Sequence, residues 1–163
     1  MLETLRRIVQ EVNNARDLAE ALETIVRRVR EAMRVDACSV YLLDSATHEL
    51  LLMATEGLRP EAVGKVRLPM SIGIVGLVAE RQEPLNLQNA AAHPRYHLFP
   101  EKGEEHLRAF LGIPLVRFGE ATGVLAVQAR EERSFKNQEL DFLVTVAVSP
   151  EIGATHGASF DFK

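Results

Sequence analysis

The sequence predicts an α+β domain in three layers: a central antiparallel sheet, terminal helices on one face, and a short helix plus an irregular lid on the other. Three observations carry this. Residues 108–128 contain two apolar runs of strand length, R-A-F-L-G-I-P-L-V and G-V-L-A-V-Q, around a polar connection with Gly119, which reads as a β-hairpin. Neither run alternates as a strand with one wet face would, so the hairpin is expected mid-sheet with both faces covered. Before it, residues 88–105 lose all periodicity yet keep a tyrosine and a phenylalanine, and long connections with packing residues of their own are frequently functional.

In chain order, Leu2, Leu5, Ile8, Val9 and Val12 recur at helical spacing, with Arg6, Arg7 and Glu11 opposite them, and Asn13-Asn14 ends that helix. Asp17 followed by Glu20 resembles a capping box for a second helix with an apolar stripe of Leu18, Leu22, Ile25, Val26, Val29 and Met33. The pair could pack on the sheet or on a second subunit, and a homodimer through the terminal helices is expected. Residues 38–44 and 49–55 read as a hairpin, residues 64–69 as a short third strand, residues 73–80 as a short helix whose glycines permit close approach, and residues 84–87 as a brief strand. Pro114 cannot donate to a ladder, which predicts a bulge or local unpairing beside Gly112. Phe135 and Leu140 suggest a hydrophobic staple on a final helix starting near Asn137 and ended by Pro150.

At 163 residues the chain is about one domain, large enough for a real core. A formal net charge of −4 gives no general attraction to nucleic acid or anionic lipid, and Arg27, Arg28 and Arg30 read as a solvated helix face. No apolar run is long enough to span a bilayer and no leader opens the chain, so a cytoplasmic location with no membrane partner is expected. The single cysteine, Cys38, excludes an internal disulfide and a cysteine-only zinc cluster.

The segments C-S-V-Y-L-L-D, L-M-A-T-E-G-L, G-I-V-G-L-V-A-E, E-P-L-N-L, H-P-R-Y and R-A-F-L-G-I-P-L-V, in this order, resemble the GAF domain family. Within it they are similar to the amino-terminal domains of nitrogen-type phosphoenolpyruvate–protein phosphotransferases. The resemblance covers residues 1–147 and implies a non-catalytic sensor of nitrogen status, with glutamine or 2-oxoglutarate as effector, controlling autophosphorylation by a separate catalytic region. Two departures stand out: Lys136 replaces the acidic cap common in that family, and residues 148–163 form a tail that reads as loosely ordered or non-native. Within the tail, G-A-T-H-G-A-S around His156 is superficially like a phosphohistidine motif, one residue short and without its domain.

A sensor pocket needs an apolar wall with a few fixed polar groups. Ser71, Ile72 and Gly73 lead into a helix whose free N–H groups could meet a carboxylate. Asn86, Asn89, His93 and Tyr96 could supply donors, Arg108 could hold a carboxylate through two parallel bonds, and Phe110 belongs to the same wall. In the rival reading the pocket is vestigial, filled by Leu98, Phe99 and Phe110, and the domain is a dimerisation module. His93, His97 and His106 stand near one another, but Pro94 disfavours a regular helix and no metal or cofactor is expected. Methionine-sulfoxide-reducing GAF enzymes use several cysteines, bilin-binding ones set cysteine beside histidine, and Cys38 has neither arrangement.

Overall fold

The computed structural model describes residues 2–148. Of the tail only Val148 is described; the rest of it, Pro150 included, lies outside the described residues. The elements are α1 (Leu2–Asn13), α2 (Leu18–Met33), β1 (Ala37–Asp44), β2 (Glu49–Glu56), β3 (Arg67–Pro69), α3 (Gly73–Arg81), β4 (Leu85–Leu87), β5 (Ala109–Arg117), β6 (Glu120–Ala129) and α4 (Asn137–Val148). The strands form one antiparallel sheet in the order β3-β2-β1-β6-β5-β4, with the β5–β6 hairpin inside it.

Side-chain alternation along the central strands separates two cores. Cys38, Val40 and Leu42 of β1, Leu111 and Ile113 of β5, and Leu125 and Val127 of β6 face α1, α2 and α4. The intervening residues Tyr41, Phe110, Val124 and Ala126 face the other way and meet Ile74, Val75 and Val78 of α3. The three expected layers are all present.

Local chemistry sets the ends of the helices. The Asp17 carboxylate accepts from the Glu20 N–H at 2.9 Å and opens α2. Arg28 joins α2 to α1 by a bidentate pair with Glu11, which holds the Glu11 pKa below the usual carboxylate value. Arg30 instead reaches the Asp36 carbonyl. At α4 the cap position is held by Lys136, which has no side-chain acceptor, and the helix supplies one from within: Glu139 turns back and accepts from the Lys136 N–H at 2.9 Å. This is the reciprocal half of a capping box, and it needs no acceptor on Lys136 itself.

Two expectations need correction. The irregularity in the hairpin lies between Leu115 and Val116, where β6 carries the extra residue Thr122, and not beside Gly112. The Thr122 hydroxyl donates to the Leu115 carbonyl there. The other expectation, local unpairing beside Gly112, is met: β4 pairs with β5 only as far as Gly112, so Pro114 has a strand on one side alone and its missing donor needs no bulge. The third strand is also shorter than residues 64–69: a single 3-10 turn over Pro60–Ala62 and the positive φ of Gly64 curl the chain until Arg67. As expected, α3 comes close to the backbone before it. A Cβ on Gly76 would stand 2.4 Å from the Met70 carbonyl oxygen, so only glycine fits.

Candidate functional site under the lid

The lid joins β4 to β5 and contains two single 3-10 turns, Ala90–Ala92 and Pro100–Lys102. Its first turn is anchored where the Ala90 N–H donates to the Arg108 carbonyl at 2.6 Å. The second ends at Gly103, whose φ of +72° gives the left-handed turn that sends the chain back toward the sheet. Arg59 lies over this corner, and its backbone N–H donates to the Lys102 carbonyl at 3.0 Å.

That corner buries two opposite charges. Lys102 is 2% exposed and Glu104 6% exposed, so neither is a surface residue. The Lys102 Nζ donates to the Tyr41 hydroxyl at 3.0 Å and stands 3.3 Å from Glu104 Oε1. Gln128 Nε2 donates to the same carboxylate oxygen at 3.3 Å. The ammonium also lies 5.0 Å from the Tyr41 ring centre and 5.4 Å from that of Phe99, within range of the rings' negative faces. Among the described residues, every buried side-chain nitrogen and oxygen has a hydrogen-bond partner. The grouping is therefore satisfied, as a buried charge must be to persist.

Burial is the largest influence on Lys102 and disfavours its charged form. The Tyr41 and Glu104 side chains together outweigh it, and the pKa lies above the usual lysine value. Burial likewise pushes the Tyr41 hydroxyl up, with the ammonium pulling the other way. The half-buried Tyr96, packed against the lid-side core, is raised by burial first and by the Glu104 charge second.

The residues expected from sequence fall into three groups. Gly73, Tyr96 and Phe110 line or border the lid-side core. A Cβ on Gly73 would meet the Phe99 ring at 3.2 Å, so the start of α3 is covered by Phe99 and by His97, whose ring packs on it at 4.7 Å. Ser71 and Ile72 are exposed ahead of α3, and Arg95 donates to the Ser71 carbonyl. Asn89 is half-buried at the first lid turn, and His93 Nδ1 accepts from the Arg95 N–H at 3.0 Å within its own loop.

Asn86 and Arg108 do not join this grouping. The Asn86 amide brackets Phe135, donating to its carbonyl at 2.9 Å and accepting from its N–H at 3.3 Å. The Arg108 side chain is 60% exposed and lies 3.9 Å from Glu132. Of the vestigial-pocket residues, Phe110 is buried and Phe99 half-buried, while Leu98 is on the outside. Among the described residues no group of three histidine, cysteine or acidic side chains is placed to hold a metal ion. Cys38 is buried on the helix-covered face, away from the lid, where burial raises its pKa.

Lys102, Glu104, Tyr41 and Gln128 were not among the candidates. Lys102 and Glu104 look like solvated loop charges, because nothing local marks a lid residue as pointing inward. Gln128 carried a usable signal: it is a lone amide closing the apolar run G-V-L-A-V-Q at an inward position of a mid-sheet strand.

Comparison with known proteins adds the decisive observation: the sequence profile of the GAF domain matches residues 17–149. The chain belongs to the GAF domain family. The phosphoenolpyruvate-dependent phosphotransferase system protein of Escherichia coli strain K12 is 44% identical to this GAF domain over 147 residues, covering 90% of the chain and 20% of that protein. The chain thus spans about a fifth of the length of the curated relatives it matches. The GAF domain of a phosphoenolpyruvate-protein phosphotransferase from Coxiella burnetii superposes with a TM-score of 0.90 at 45% identity, over 96% of this chain and 92% of that one. The corresponding domain from Acinetobacter gives a TM-score of 0.85 at 42% identity, over 96% and 94% of the two chains.

Proposed function

We propose that this GAF domain is the regulatory small-molecule sensor of a phosphoenolpyruvate–protein phosphotransferase of the nitrogen phosphotransferase system. It binds a nitrogen or carbon metabolite under the lid, and the lid passes the bound state to a phosphotransferase catalytic region elsewhere in the full-length, cytoplasmic enzyme. Residues 1–147 form the sensing unit. The observation that carries this reading is the buried set of Tyr41, Lys102, Glu104 and Gln128, with the Phe99 ring beside the ammonium and Phe110 opposite Gln128 in the β5–β6 ladder. A domain that needed only a scaffold would gain more by filling this space with apolar side chains, since a buried ion pair is poor stabilisation. The domain has no chemical role of its own in this reading: its cysteine is buried on the opposite face.

Glutamine and 2-oxoglutarate are the first ligands to test. Ligand at 100 times its dissociation constant adds about 2.7 kcal/mol of stability, read as a rise in melting temperature. Failure of both to shift the transition, or to give heat in calorimetry, removes the sensor reading. Arg108→Ala belongs in the same series: unchanged affinity assigns Arg108 to the surface with its partner Glu132.

A second reading rests on a separate observation. α1 and α4 flank an open groove lined by Leu2, Leu5 and Phe142 together with Gln138, Asp141 and Thr145, and Leu2 and Val148 are 71% and 65% exposed. This groove supports a homodimer through the terminal helices. Size exclusion across a range of concentrations tests it, and a constant monomer mass overturns it.

A further inference from the structure

The buried ion pair has an arrangement that a purely structural pair would not require. Both charges belong to the lid, on either side of Gly103, whereas the neutral groups that receive them, the Tyr41 hydroxyl and the Gln128 amide, belong to β1 and β6. Ammonium and carboxylate therefore enter and leave the interior together. If the corner swings outward no lone charge stays behind, and both charges regain water. What remains on the sheet is a phenol that accepts from an ammonium, an amide that donates to a carboxylate, and the aromatic faces of Tyr41 and Phe110. That is a receptor for a small zwitterion, with its positive and negative ends adjacent.

We propose that the Lys102–Glu104 pair is a built-in occupant of the sensor pocket, a self-ligand displaced by a metabolite that carries an ammonium beside a carboxylate. This rests on the sensor reading above and adds its regulation. The corner has the means to move. The Pro100–Lys102 turn is a single turn of 3-10 helix, and Gly103 occupies a region of φ that residues with side chains rarely adopt. On the solvent side of the same corner lies an open cleft of about 570 Å³ lined by Arg59, Glu61, Lys65, Arg67 and Glu101, which gives the displaced residues room. Competition between lid and metabolite also sets the threshold, because apparent affinity falls by the fraction of molecules whose pocket is free.

The test is lysine acetylation of the 163-residue chain, read by mass spectrometry, with the exposed Lys65 and Lys136 as internal standards. Without ligand, Lys102 reacts at least about tenfold more slowly than either standard; saturating L-glutamine brings its rate toward theirs. Lys102 that reacts as fast as Lys65 without ligand overturns the proposal. So does glutamine that binds and slows Lys102 further, which would make Lys102 a direct ligand contact while leaving the sensor reading intact. Lys102→Met, which fills the space without the charge, weakens the built-in occupant and tightens glutamine binding at least about tenfold. Unchanged or weaker glutamine binding by a folded variant overturns displacement. If neither compound binds either form, the sensor reading falls and the displacement falls with it.

Discussion

The helix-covered face of the sheet packs Val40, Leu42, Leu111, Ile113, Leu125 and Val127 against Ile8, Leu22, Ile25 and Leu143, whereas the lid-covered face encloses an ammonium, a carboxylate, a phenol and an amide within hydrogen-bonding distance of one another. The same strands build both faces, so the difference comes from what lies opposite. Three helices of 12 or 16 residues present continuous apolar stripes to the first face. The second is closed by one helix of 9 residues and by a connection with little regular structure. That face has an apolar core of its own, and at the lid corner a buried ion pair and its hydrogen bonds are added to it. One face is built to stay shut; the other is held by interactions that water can replace.

Breaking the charge balance gives the largest expected effect. Glu104→Ala leaves the Lys102 ammonium buried without its counter-charge and should cost about 3–5 kcal/mol in chemical denaturation. The double variant Lys102→Met with Glu104→Gln restores most of that stability or exceeds the parent. A double variant as unstable as the single one would show that the pair itself holds the lid side together. On the other face, Leu125→Ala should cost about 2–5 kcal/mol through lost burial and a residual cavity, with no recovery from any charge change. A smaller loss would mean that the helix face relaxes more than its packing suggests.

The smallest effect is a pH dependence confined to the lid side. Tyr41 and Lys102 both have folded pKa values above their ordinary ones, so the folded state holds these protons more tightly than the unfolded chain does. Their contribution is complete below the unfolded values, near about pH 10, and declines as pH rises through the folded ones. The denaturation midpoint should fall above that pH, and the fall should flatten in the Lys102→Met, Glu104→Gln variant. An equal slope in parent and variant would assign the alkaline loss to other groups.

The two faces were also unequally legible in the sequence. Helical stripes such as Leu22, Ile25, Val26 and Val29 follow from periodicity alone, and the antiparallel hairpins follow from apolar runs broken at polar turns. The lid could be recognised as a lid by its loss of pattern, and Phe110 and Tyr96 by their chemistry. Which of its charges turn inward could not be read. That depends on Gly103 reversing the chain and on Tyr41 and Gln128 waiting across a gap of 61 and 24 residues from Lys102 and Glu104. Asn86 shows the converse: an amide of the right type beside the lid is committed to a contact 49 residues away that no local pattern announces.

That amide has a mechanical consequence. β4 runs straight into the lid at one end, and from its middle residue Asn86 grips both backbone groups of Phe135, two residues ahead of α4. The edge strand is thus geared to the first turn of the last described helix across the rim of the sheet. Any tilt that the lid imposes on β4 is shared with α4 through the Asn86 amide and Phe135, a buried residue of the helix-face core.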